Sequence, residues 1–269
     1  MKSEETFLTF FDKNKTYVIA EAGSNFNQNL STAMKLIETA KDCGADAIKF
    51  QLFKAEILYP EKTGIAFQTT KKNEFPRIWL EELLKLANNI EIDFLATPFD
   101  NEAVDILSDL DIKLFKWGSS ETTNKKLLFH VASKKKPILL STGMCSVSDI
   151  AEAVEILEEN QCKDITILHC HSLYPTKFKD VNLNVMKNLG SIFDKNYGLS
   201  DHSLGISVPI AATALGAVVI EKHMTLDKNE DGPDHFYSLE PKEFKFMVKN
   251  IKNVRSSMGS KVKTIFEDE

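Results

Sequence analysis

Eight short apolar runs, seven of them clearly followed by a helix-length segment, restrict the fold of this chain more than anything else in it. They occupy residues 17–22 (YVIAEA), 47–51 (AIKFQ), 93–99 (DFLATPF), 114–119 (LFKWGS), 137–141 (PILLS), 165–170 (ITILHC), 197–201 (YGLSD) and 218–223 (VVIEKH). Strands that alternate with helices pair in parallel, because a crossover helix carries the chain back to start each new strand. Eight such units in 269 residues fit a sheet closed on itself as a (β/α)8 TIM barrel, which takes roughly 250 residues. The ends of the runs carry Glu21, Lys49, Gln51, Thr97, Lys116, Ser119, Ser141, His169, Ser200, His202 and His223. A strand core explains the Val, Ile and Leu, but not charged and imidazole groups recurring at one end. In a closed barrel the strand tips converge on the catalytic face, so the chain reads as an enzyme.

The segments between the runs have helical spacing at residues 30–43, 78–87, 101–110, 124–133, 147–159 and 208–215, with a short one near 184–189 and a long closing one at 240–257. The reading is α/β with a single domain, residues 1–269, whose core spans about 17–258. Residues 6–11 are expected to add a short N-terminal strand across the barrel floor. Residues 53–77 are the longest insertion and, as a long loop, are expected to be a lid. The net charge of −6 argues against general nucleic-acid binding, and no apolar run reaches membrane-spanning length. Cys43, Cys145, Cys162 and Cys170 show no metal-site spacing. With no signal segment at Met1–Ser3, a cytoplasmic location is expected.

Two constellations carry chemistry. His202 and His223 end consecutive strands, and two neutral imidazoles with open positions suit a divalent transition metal such as Mn2+; hydrogen-bonded structural histidines are the alternative. Asp201 and Asp234 are further oxygen donors, while His169, His171 and His130 are read as structural. Lys49 and Lys116 are costly to bury without an anion. With the hydroxyls of Thr97, Ser119, Ser141 and Ser200 they make a cradle for phosphate and carboxylate, or else form internal ion pairs with Glu21 and Glu121. Those two carboxylates are candidates for proton transfer or for charge balance.

The motifs EAG (21–23), KFQ (49–51), ATPF (96–99), KWGSSE (116–121), STGM (141–144), HCHSLYPT (169–176), LSDHS (199–203), EKHMT (221–225) and GPDH (232–235) occur in order. In these the chain resembles the sialic acid (N-acetylneuraminate) synthase family. The resemblance implies condensation of phosphoenolpyruvate with an N-acetylated amino sugar of the N-acetylmannosamine type, releasing phosphate and forming a nonulosonic acid. It implies His202 and His223 as ligands of a divalent metal, Mn2+ ahead of Mg2+ or Co2+. It also implies Lys49, Thr97, Lys116, Ser119, Ser141 and Ser200 as the phosphoenolpyruvate cradle. Gln51, Ser172 and Tyr174 become contacts to the sugar or to ligated water, and Glu21 and Glu121 the catalytic carboxylates. It further implies a homo-oligomer.

The family pattern is not followed throughout. Members usually carry a C-terminal antifreeze-like domain, and here the expectation is a barrel without it, so a separate cap-domain chain is a conceivable partner. The loop after EAG reads Asn25-Phe26-Asn27-Gln28 where the family commonly has Asn-His-x-Gly. Ser172 replaces a frequent Asn, and Trp117 a smaller aliphatic residue. These changes point to altered sugar specificity. Two other functions compete: a non-catalytic sugar-binding or scaffold subunit, and a barrel aldolase or synthase with a different aldehyde acceptor.

Overall fold

Alternation along a strand sends successive side chains to opposite faces, and in this chain it separates two cores. The computed structural model describes residues 9–265. Its strands are β1 (Tyr17–Glu21), β2 (Ala47–Leu52), β3 (Asp93–Pro98), β4 (Phe115–Trp117), β5 (Ile138–Ser141), β6 (Ile165–Cys170), β7 (Asn196–Asp201) and β8 (Val219–His223). The helices are α1 (Leu30–Asp42), α2 (Ala55–Leu58), α3 (Gly64–Lys72), α4 (Leu80–Asn89), α5 (Asn101–Asp109), α6 (Lys125–Ala132), α7 (Val147–Glu159), α8 (Asn184–Phe193), α9 (Ser207–Ala214) and α10 (Pro241–Ser257). Parallel ladders run β3-β2-β1-β8-β7-β6-β5-β4. The last gap closes by packing, since a Cβ on Gly118, just past β4, would lie 3.3 Å from the Thr97 methyl of β3. This is a (β/α)8 TIM barrel.

Outward residues such as Val18, Ile48, Phe94, Phe115, Leu140, Ile167, Leu199 and Ile220 pack in the main core beneath the helices. Inward residues change character with height. Ile19, Ala47, Leu95, Leu114, Leu139, Leu168 and Val219 form a separate apolar cluster inside the ring. Two positions further along the same strands stand Glu21, Lys49, Thr97, Lys116, Ser141, Cys170 and Glu221, all lining one cavity. The barrel is thus stoppered by hydrocarbon below and lined with polar groups above.

Local signals set the helix ends. Asn29 caps α1 by accepting from the Thr32 amide, and Asp100 caps α5 by accepting from Ala103. Ser146 and Asp149 form a reciprocal capping box on α7. Helix α8 runs beyond the short segment expected, through Gly190, where a Cβ would come within 2.2 Å of the Tyr197 ring. That glycine serves close packing rather than ending the helix.

Two expectations are corrected. Residues 53–77 are not an irregular loop: they fold as α2, α3 and a 3-10 turn at Arg77–Trp79. They are fastened by Arg77 to the Leu52 carbonyl at 3.0 Å and to the Asp100 carboxylate, and by the Ala55 amide to Glu74 at 2.6 Å. Thr9–Phe11, the described part of the expected N-terminal strand, forms a bend rather than a strand, and residues 6–8 lie outside the described residues. The Phe10 amide bonds the Asp164 carboxylate at 2.5 Å instead of a ladder partner. Phe11 is buried in the lower interior cluster, so the floor is plugged by a ring. No helix among the described residues is long and apolar enough to cross a membrane.

Candidate active site at the C-terminal mouth

The upper, polar layer encloses a cavity of about 280 Å3. Lys49 and Lys116 reach into its floor from β2 and β4, and each is buried. A buried ammonium requires counter-charge, and two carboxylates supply it. Lys49 Nζ lies 2.6 Å from Glu21 and 3.0 Å from the Thr97 hydroxyl. Glu221 stands between the lysines, 3.3 Å from Lys116 Nζ through one oxygen and 3.8 Å from Lys49 Nζ through the other. The Ser200 hydroxyl donates to Glu221 at 2.9 Å, and the Gln51 amide donates to Glu21 at 2.7 Å.

Burial acts on all four charges, and their neighbours decide the outcome. Burial pushes Glu221 up, but Lys116, Lys49 and the Ser200 hydroxyl outweigh it and hold the carboxyl below its usual range. For Glu21 burial wins over Lys49, aided by the negative charge of Glu221, so its pKa is raised. Burial would lower Lys49, yet Glu21 and Glu221 raise it overall. For Lys116 burial outweighs the attraction of Glu221, with Lys49 repelling it, and its pKa is lowered. The floor therefore holds an ionised Glu221 beside a Glu21 whose pKa burial raises.

Above the floor, hydroxyls face the same space. Ser141 Oγ is buried with no partner, a donor and acceptor awaiting a ligand oxygen. Ser119 Oγ accepts from the Gly143 amide at 2.9 Å, which leaves its own proton to donate. Gly143 lies close against both serines, since a Cβ there would sit 2.6 Å from Ser172 Oγ and 3.0 Å from Ser119 Oγ.

His202 and His223 meet on one side of the mouth with ring centroids 5.4 Å apart. His202 Nδ1 donates to the His171 carbonyl at 2.6 Å, which leaves Nε2 with its lone pair. Burial pushes His223 down to about 4, so it is neutral near pH 7. Tyr237 Oη lies 3.4 Å from His223 Nδ1 and donates to Asp234 at 2.7 Å. Two oriented imidazoles are a donor set that fits a divalent transition metal. Among the described residues no group of three His, Cys, Asp or Glu gathers to hold a metal.

The rim is made of loops. Tyr174 covers His202 at 4.1 Å between centroids. Gly23, at φ +49°, brings the chain against Asp234, where a Cβ would lie 2.4 Å from the carboxylate; the Ser24 amide donates to the same oxygen at 2.8 Å. Asn27 Oδ1 meets His235 Nε2 at 3.0 Å, and Gln28 donates to the Glu74 carbonyl at 2.8 Å.

Lys49, Gln51, Thr97, Lys116, Ser119, Ser141, Ser172, Tyr174, Ser200, His202, His223 and Glu21 all line this one cavity. Glu121 does not. It lies on the 3-10 turn Ser119–Glu121, buried, and its carboxylate accepts from the Asn124 amide at 2.8 Å. Asn124 in turn caps α6, so Glu121 acts on a helix end. The counter-ion expected of it is Glu221, which sequence reasoning passed over. The signal was present: Glu221 precedes His223 by two, as Ser200 precedes His202, and period two puts each pair on one face. Asp201 also turns away from the cavity, to Lys222. His169 bonds the Val181 carbonyl at 2.8 Å and is structural.

The sequence profile of the NeuB family matches residues 36–263. An uncharacterized protein of Methanocaldococcus jannaschii is 47% identical over 91% of this chain and 72% of its own length. The N,N'-diacetyllegionaminic acid synthase of Campylobacter jejuni is 44% identical over 95% of this chain and 81% of its own. Among solved structures, the N-acetylneuraminic acid (sialic acid) synthetase of Leptospira borgpetersenii superposes with a TM-score of 0.90 at 34% identity, covering 95% of this chain and 89% of that one.

Proposed function

This chain belongs to the NeuB family, and we propose that it condenses phosphoenolpyruvate with an N-acetylated amino sugar to give a nonulosonic acid and phosphate. The observation that carries the reading is the floor of the mouth. Two buried lysines pinned by one carboxylate, with the unpartnered Ser141 hydroxyl beside them, form a compact receptor for a small, highly charged anion. The Campylobacter relative makes an acid with two N-acetyl groups, which directs attention to acceptors bearing two acetamido groups as well as to N-acetylmannosamine.

In this mechanism C3 of phosphoenolpyruvate attacks the aldehyde carbon of the open-chain sugar. A C–C bond forms, and the carbonyl oxygen takes up a proton to become a hydroxyl. Water adds at C2, which has become cationic, and gives up a proton. The C2 hydroxyl then gives up its proton as the C–O bond of the phosphate ester breaks, its electron pair leaving with phosphate, which takes up that proton, and a 2-keto acid remains. Lys49, Lys116 and the hydroxyls of Thr97, Ser119, Ser141 and Ser200 bind and orient the carboxylate and phosphate. Glu221 keeps both ammonium groups in place before the anion arrives. Glu21, with its raised pKa, exchanges the proton at the reacting oxygens, held by Gln51. Ser172 and Tyr174 face the acceptor, whose aldehyde lies toward His202 and His223. A divalent cation held by those two imidazoles, Mn2+ in our reading with Mg2+ or Co2+ as alternatives, would supply Lewis-acid polarisation of the aldehyde. Glu121 is assigned no proton-transfer role.

The test is phosphate release from phosphoenolpyruvate by the purified chain, with Mn2+ or EDTA, against N-acetylmannosamine, its 6-phosphate and di-N-acetylated sugars. Release that requires a sugar and stops with EDTA supports the proposal. Release by none of these sugars, from a folded chain that binds phosphoenolpyruvate, counts against it. The lowered pKa of Lys116 favours one competitor, an aldolase using that amine as a nucleophile. Borohydride trapping of a Lys116 adduct would select it, since the condensation forms none.

A further inference from the structure

Among the described strand residues, the charged side chains facing outward are Asp201 and Lys222, in a layer that is otherwise largely apolar. They are register partners across β7 and β8. Each stands one residue before a histidine of the mouth, His202 after Asp201 and His223 after Lys222. Lys222 Nζ lies 2.6 Å from Asp201 Oδ2 and also donates to the Ser203 carbonyl. Asp201 accepts from the Ser203 amide and from the Ser203 hydroxyl, each at 3.0 Å. One ion pair therefore grips Ser203 at its N–H, hydroxyl and carbonyl, and His202 is held between two of the three linked residues. All three are buried, and none lines the cavity.

An ion pair this deeply buried adds little net stability over an apolar pair of the same volume, so stability does not account for its place. It ties the tip of β8, which carries His223, to the turn that carries His202. We propose that Lys222, Asp201 and Ser203 form a positioning unit that sets the spacing of the two imidazoles and thereby the affinity of the mouth for a divalent cation. The inference rests on the reading of His202 and His223 as cation ligands. Ser200 and Glu221 neighbour the unit along their strands, but their side chains face the cavity and bond each other and the lysines rather than Asp201, Lys222 or Ser203.

The test is an Mn2+ titration followed by the paramagnetic resonance signal of the free ion. It compares wild type, Lys222→Met, and the double variant Asp201→Leu with Lys222→Met, which restores an apolar pair should the single variant fold poorly. Phosphoenolpyruvate binding is titrated separately by calorimetry without metal. The expected result is an Mn2+ Kd raised about 10- to 100-fold in both variants, with phosphoenolpyruvate affinity unchanged. Unchanged Mn2+ affinity in the folded double variant overturns the proposal, as does an equal loss of both affinities. His202→Ala and His223→Ala separate the two failures. If they bind Mn2+ as wild type does, the cation reading itself falls. If they lose Mn2+ while the double variant keeps it, only the positioning role falls.

Discussion

At the floor of the mouth, Lys49, Lys116, Glu21 and Glu221 are each at most 4% exposed, whereas at the rim Tyr174, Leu173 and Met144 are 50% exposed or more. The floor residues stand in strands, where ladder register fixes each side chain against its neighbour. Glu21 is in register with Lys49 on one side and with His223 on the other. The rim residues stand in loops, tied by a few side-chain bonds such as Gln28 to Glu74. A rigid floor suits a substrate that does not vary, and a loop-built rim suits one that does. In the proposed reaction these are phosphoenolpyruvate and the acceptor sugar.

The contrast predicts a hierarchy of effects. Lys116→Ala removes a buried cation from the cradle and should lower kcat/KM for phosphate release by about 10³-fold, the upper range for loss of one electrostatic stabiliser; a steady-state assay checks it. Retention of full activity would break the division between floor and rim. Glu221→Gln leaves two buried ammonium groups sharing one carboxylate. It should cost about 3 kcal/mol of stability in a denaturant titration, the scale of a broken buried pair, and raise the phosphoenolpyruvate KM.

His223 gives a pH signature of similar size in the metal-free chain. The unfolded imidazole binds a proton below about pH 6.5, the folded one only below about 4. Stability therefore rises with pH across that window and is lost as pH falls through it. At roughly 1.4 kcal/mol per pH unit the loss amounts to about 3 kcal/mol, and His223→Gln should flatten it in melts recorded with EDTA. The smallest effect belongs to the rim. Gln28→Ala should change stability by no more than about 0.5 kcal/mol and alter the sugar KM while leaving that of phosphoenolpyruvate in place. A change in both would blur the boundary between the regions.

Much of this was legible in the sequence because strand periodicity and strand ends are local signals. Helix 147–159 was placed to the residue, where Ser146 and Asp149 mark its start. Every candidate site residue but Glu121 lines the one cavity, because a barrel brings strand tips together whatever the helices do. Glu121 failed because it lies beyond β4, on a 3-10 turn that rotates it out of strand period. Glu221 was missed because a charge in the middle of a run reads as a strand residue until its inward face is known. The helices within residues 53–77 were hidden for another reason. Helix α3 buries none of its side chains, so it has no apolar stripe to announce it.

The most direct test is to run the reaction in heavy-oxygen water with phosphoenolpyruvate and the acceptor that gives the fastest phosphate release, and to weigh both products by mass spectrometry. The account predicts unlabelled phosphate and a sugar acid carrying the label at C2, because water adds to carbon and the C–O bond breaks. Label in the phosphate, or phosphate released without any sugar acid, would contradict it.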